Sequence, residues 1–203
     1  MGRHIAPSTG FGTAAITPNS GYLPGQFLIA MPHMQDVRFQ RSVIYLCAHT
    51  ADGAMGLIVN KALDSLTVPE LMEHLKIPVE VELKPTKIYF GGPVETSRGF
   101  VLHSCDYVEQ ATLVVGNELA LTATIDVLKA IGRNAGPRQS LMTLGYAEWS
   151  AGQLDAELQA NVWLHCPADD SIIFDLYNDS KWERALGQLG VSVSMLSSEA
   201  GHA

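Results

Sequence analysis

SVIYLCAHTADGAMGLIVN, residues 42–60, is the stretch that decides the fold. SVIYLCAH (residues 42–49) is β-branched, aromatic and apolar, with no turn former inside it, and predicts a buried strand. Asp52-Gly53 marks a turn, and GLIVN (residues 56–60) returns as a second strand, so the stretch reads as a β-hairpin. Upstream, QFLIAM (residues 26–31) is another buried strand, stopped by Pro32.

Downstream, Thr67 and Glu70 have capping-box spacing. Leu71, Met72 and Leu75 then follow helical periodicity until Pro78. KIYF (residues 87–90), GFVLHS (99–104), ATLVV (111–115) and SLMTLGYA (140–147) read as strands, and Ile125, Leu128 and Ile131 as a helical stripe closed by Gly132 or Gly136. Ser150 and Gln153 form a second box, opening a helix with Leu154 and Leu158. NVWLHC (161–166) and SIIF (171–174) read as strands. Ser180 and Glu183 form a third box, opening a last helix with Leu186 and Leu189, capped by Gly190. Strands in runs with helices between them predict an α+β fold rather than a Rossmann alternation.

The chain has 203 residues, which predicts a single domain over residues 21–191. Residues 1–20 and 192–203, small and polar without periodicity, are expected to be a mobile N-terminal tail and a flexible C-terminal tail. The formal net charge is −8, and the cations are scattered, the densest set being Lys129, Arg133 and Arg138. Phosphate neutralisation supplies most non-specific affinity for nucleic acid, so no direct nucleic-acid partner is expected. Cys47, Cys105 and Cys166 form no C-x-x-C, which points to reduced thiols. The N-terminal stretch has no apolar h-region, and no apolar run approaches a membrane span of about 20 residues. A cytoplasmic protein with no membrane contact is the expectation.

No dinucleotide fingerprint, P-loop, H-E-x-x-H, G-x-S-x-G or EF-hand loop occurs. Longer signatures do: FLIAMP, D and F.RSV within residues 27–43, H and GAMGLIVNK within 49–61, YFGGPVE and RGFVLH within 89–103, and GYAEWSAGQLDAEL..N.WL over 145–164. Together these resemble the YqgE/AlgH family, a family of uncharacterised function whose members are often labelled transcriptional regulators. The resemblance covers roughly residues 26–190 and implies a bifurcated mixed β-sheet folded into a pseudo-barrel with helices packed outside. Glu148 stands where the family pattern has a small residue, and Cys105 and Cys166 lie outside the pattern.

Several constellations carry chemistry on paper. Cys47 and His49, one residue apart on a strand, share a face, as do His103 and Cys105, and adjacent strands would let these four surround zinc. Buried thiols and backbone-bonded imidazoles are the simpler reading, so no metal and no cofactor is expected. Gly91-Gly92-Pro93 with Arg98 could present amides and a guanidinium to an anion, but is read in preference as a tight turn. Asp36 with Arg41 is read as an ion pair or an Asx turn. The polar residues of the first three signatures, Asp36, Arg41, His49, Asn60, Arg98 and His103, sit near strand ends and form the candidate binding surface. The resulting reading is a non-catalytic binding or regulatory protein acting through a small ligand or an unknown protein partner. The alternatives are an enzyme using Asp36, His49 and His103, and a transcriptional regulator that acts indirectly.

Overall fold

The computed structural model describes residues 21–116 and 118–196. Its elements run β1 (Gln26–Ala30), β2 (Val43–Thr50), β3 (Gly53–Ile58), β4 (Ala62–Thr67), α1 (Val68–His74), β5 (Lys87–Phe90), β6 (Val94–Ser104), β7 (Thr112–Val115) and β8 (Leu119–Thr122). They continue with α2 (Ile125–Gly132), β9 (Ser140–Ser150), α3 (Gln153–Gln159), β10 (Trp163–Pro167), α4 (Asp170–Ile173), α5 (Asn178–Gln188) and α6 (Val193–Leu196). None of these helices is long and apolar enough to cross a membrane.

The hairpin of residues 42–60 forms as β2 and β3, and its strands order the sheet β10-β1-β2-β3-β9-β6-β8-β7. The sheet forks at β9. Residues 147–150 of β9 pair with β3, residues 143–144 pair in parallel with β5, and β6 pairs along β9's other edge. The fork requires three glycines. A Cβ on Gly91 would lie 2.2 Å from the Gly145 carbonyl oxygen, one on Gly92 2.1 Å from the Tyr146 carbonyl carbon, and one on Gly145 2.4 Å from the Gly92 carbonyl oxygen. Backbone approaches backbone there, with no space for a side chain. The Gly91-Gly92 pair is thus a sheet junction rather than an anion cradle or a simple turn.

One face of the sheet feeds a single cluster that draws Phe27, Tyr45, Leu57, Tyr89, Phe100, Leu121, Leu141 and Cys166 from strands near both ends of the path. For those strands to share one core the sheet must curl, which is the half-barrel of this α+β fold. Ile172 and Ile173 of α4 and Trp182, Ala185 and Leu186 of α5 close that core. On the opposite face, α3 packs through Leu154 against Leu28, Ala54, Trp149 and Trp163, and α1 and α2 pack through Met72, Val127 and Leu128 against Ile88, Val101 and Met142.

Four local readings are corrected. SIIF is not a strand: Ser171–Ile173 lie in α4 and Phe174 caps its end, because the Asp169 carboxylate accepts the Ser171 amide at 2.8 Å and caps a helical turn that buries both isoleucines. The last helix opens at Asn178 rather than at a Ser180 box, and the Ser180 hydroxyl donates instead to the Tyr177 carbonyl. At the second box the Gln153 amide oxygen does accept from the Ser150 amide and hydroxyl, but the helix begins only at Gln153, with Gly152 as its N-cap. Val193–Leu196 is a short helix whose Leu196 packs on the main core, where the sequence predicts flexible chain. The expected tails over residues 1–20 and 197–203 lie outside the described residues.

Candidate functional site

The six candidate residues do not converge. Asp36, Arg41 and Asn60 gather where β2 begins and β3 has ended. Asn60 fastens that corner: its side-chain oxygen accepts the Val43 amide at 2.8 Å and its amide donates to the Arg41 carbonyl at 2.8 Å. Asp36 does not pair with Arg41. It accepts from the Arg38 backbone amide in an Asx turn and from the Arg38 guanidinium, which holds its carboxyl below the ordinary range. Arg41 reaches Glu183 at 2.9 Å and lies over the Trp182 ring at 4.7 Å, tying this corner to α5.

His49 sits at the far end of β2. A bulge at Cys47 pairs Ala48 with Met55 and His49 with Ala54, so His49 leaves the face of Cys47. Cys47 and Ala48 pack into the main core, whereas His49 turns toward α3, its Nδ1 accepting the Leu23 amide and its Nε2 3.6 Å from Asp155. His103 and Cys105 belong to the β6 region, separated in the sheet from β2 by β3 and β9. The proposed two-strand metal face is therefore not assembled, and neither is the Asp36, His49 and His103 set.

His103 is fully buried in a chain of one-way hydrogen bonds. The Ser104 carbonyl can only accept, so His103 Nδ1 donates to it at 2.9 Å and Nε2 accepts from the Thr122 hydroxyl at 2.9 Å. Thr122 in turn accepts from Thr112, whose oxygen takes the Glu109 amide. This arrangement uses the neutral ring, and burial pushes the His103 pKa down. Burial pushes the thiols of Cys47, Cys105 and Cys166 up, away from the thiolate a nucleophile requires. Arg98 is exposed on β6, pairs with Glu95 at 2.9 Å and lies over Phe100.

The fourth signature resolves into a structural clamp. Trp149 and Trp163 both donate their indole N–H to one oxygen of Glu157, at 2.9 and 2.7 Å, and Gln153 donates to the other at 2.8 Å. The two rings meet edge to face at 5.9 Å.

The corner of Asp36, Arg41 and Asn60 borders a groove of about 830 Å³, lined by Asn60, Lys61, Asp64, Lys87 and residues 176–180. Leu176 and Tyr177, 76 % and 78 % exposed, stand on its wall. Lys87 pairs with Asp64 at 2.8 Å, and Lys61 donates to the Arg38 carbonyl at 2.7 Å. Near this wall Lys181 is completely buried, its Nζ donating to the carbonyls of Val59 and Ile173 at 2.9 and 2.8 Å and lying 5.0 Å from the Tyr89 ring centroid. Burial lowers its pKa to about 8. Sequence reasoning passed over Leu176 and Tyr177, whose exposure no pattern announces. Lys181 did leave a signal: it falls beside Trp182 and a turn before Ala185 on the buried stripe of α5, where a cation is out of place.

Comparison with known proteins places this architecture. The AlgH-like family model, DUF179, matches residues 27–194. A UPF0301 protein of Afipia carboxidovorans is 53 % identical over 93 % of this chain and 94 % of its own, and one of Bradyrhizobium diazoefficiens is 50 % identical over 100 % and 98 %. The solution structure of AlgH from Pseudomonas aeruginosa superposes with a TM-score of 0.73 at 46 % identity, over 93 % of this chain and all of that one. A crystal structure from Corynebacterium diphtheriae shares the fold at a TM-score of 0.70 and 22 % identity, covering 90 % of this chain and 95 % of that one. With the glycine fork, the curled sheet and the signatures all in place, the chain belongs to the AlgH-like family.

Proposed function

We propose that this chain is a non-catalytic binding protein that docks a partner polypeptide at the groove beside Asn60. The observation that supports this most directly is the pair Leu176 and Tyr177, an adjacent aliphatic and aromatic side chain each more than three-quarters exposed on a groove wall. Exposed apolar groups rimmed by polar ones mark interaction sites, and aromatic anchors carry much of the affinity in such interfaces. Asn60, Asn178 and Ser180 supply hydrogen-bonding groups around them, and the charges of the rim largely pair among themselves. A partner offering apolar side chains flanked by backbone donors and acceptors fits that wall. Asp36 and Arg41 stand beside Asn60 at its border, which narrows the six-residue surface to Asp36, Arg41 and Asn60. Chemistry finds less support, because the thiols are held protonated and His103 is held neutral inside a closed chain of donors.

The test uses a photo-crosslinking residue in place of Tyr177 and, separately, of Val108, which is 56 % exposed outside the groove. Irradiation in native lysate is expected to trap a discrete species through position 177 and not through 108, and the Leu176→Ser variant is expected to lose it. Equal labelling from both positions would exclude the groove as the docking face.

A further inference from the structure

Residues 174–177 connect α4 to α5 and carry Leu176 and Tyr177. Two α5 side chains, a turn apart, hold this connection. Lys181 donates to the carbonyl of Ile173, the residue just before the connection, and to that of Val59, just after β3. Arg184 pairs with Asp175 and donates to the Ser171 carbonyl at 3.2 Å. Lys181 is the unusual member. It is 0 % exposed, and among the described residues no carboxylate lies within ion-pair distance of it. A buried ammonium without a counter-ion is costly to keep, and solvent is the better place for it.

We propose that residues 174–177 form a displaceable strap along the groove wall, kept poised to open by the buried charge of Lys181, which has no ion-pair partner among the described residues. The strap belongs to the docking face proposed above and rests on that reading for its purpose. When it lifts, Lys181 gains water, and Leu176 and Tyr177 are free to fold onto a partner. When it is seated, two carbonyls and the Tyr89 ring face receive the three N–H groups. The other charges acting on Lys181 are Asp175, which favours the ammonium, and Arg184, which opposes it.

The device has a pH signature of fixed sign. Seated, Lys181 titrates at about 8, and released it returns to its ordinary 10.5. Below pH 8 both states are charged and opening is easiest. Above 8 the seated amine is neutral, so opening requires proton uptake and grows rarer as pH rises toward 10.5.

Amide hydrogen exchange on the free protein tests this, so a strap that stays shut leaves the docking face standing, and a face that binds nothing leaves the strap standing. The amides of Phe174 and Asn178, bonded to the Asp170 and Leu176 carbonyls, are expected to exchange by a local opening well before those of β2. After correction for intrinsic exchange, their protection should rise about tenfold from pH 7 to pH 9. Lys181→Met should abolish that rise. Should that variant fail to fold, Arg184→Gln supplies the reading: strap protection falls, and with the opposing guanidinium gone the pH step moves to higher pH. Exchange of the strap only together with β2, a pH step that survives in Lys181→Met, or unchanged strap protection in Arg184→Gln would each overturn the proposal.

Discussion

His103 shows how one residue's setting becomes a property of the whole protein. Its neutral ring is held by a carbonyl on one side and a hydroxyl donor on the other, and burial keeps its pKa below the ordinary 6.5. The unfolded chain takes up a proton near 6.5, which the folded chain refuses until a lower pH. The stabilisation is therefore complete above about 6.5 and is lost as pH falls through the folded pKa. Urea denaturation at pH 7.5 and pH 5 should show a larger acid loss for the wild type than for His103→Gln, and equal losses would contradict the neutral assignment. Glu157 offers a second residue-scale case. Its carboxylate receives two indoles and an amide, so Glu157→Ala strands two indole donors and should cost about 2–4 kcal/mol at the scale of bonds to charged acceptors. A loss under about 1 kcal/mol by denaturant unfolding would show that the indoles find other partners.

At the scale of elements, the fork of β9 depends on backbone contact. Gly145→Ala places a Cβ 2.4 Å from the Gly92 carbonyl oxygen, and the clash cannot be relieved by a side-chain rotation. It should destabilise by more than about 3 kcal/mol or prevent folding. Gly152→Ala, also at positive φ but with nothing within 4 Å, should cost only about 1–2 kcal/mol of backbone strain. Comparable unfolding midpoints for the two variants would refute the role of the fork. The elements also show where pattern reading succeeds. β2 and β3 were legible because every residue from Ile44 to Cys47 has the side chain of a buried strand and Asp52-Gly53 turns the chain. β8 was not, since LALT (residues 119–122) is short and carries no alternation, and it becomes a strand only because β6 and β7 lie on either side. The Cys47 bulge was equally invisible, and that single inserted residue moved His49 from the core face to the side of α3.

At the scale of the molecule, charge and surface decide what the protein meets. The net charge of −8, with five cations of the described residues tied to Asp36, Asp64, Glu95, Asp126 and Glu183, disfavours phosphates. Titration with duplex DNA at physiological salt should show no binding tighter than about micromolar, and sub-micromolar binding that weakens steeply with salt would reverse this.

The sequence by itself determined the α+β class, the leading hairpin, most strands and the family, because periodicity, β-branching and turn residues act within a few positions of each other. It also held the residues of the Glu157 clamp, although not their meeting. What only the tertiary structure decided was which polar residues come together. Asp36 chose Arg38 over Arg41, Arg41 chose Glu183, and Asn60 closed the corner that borders the groove. The exposure of Leu176 and Tyr177 and the burial of Lys181 arise in the same way. Each depends on how α4 and α5 seat against the end of β3, a contact between segments more than a hundred residues apart; the stripe of α5 marks Lys181 as out of place, but not which carbonyls receive it.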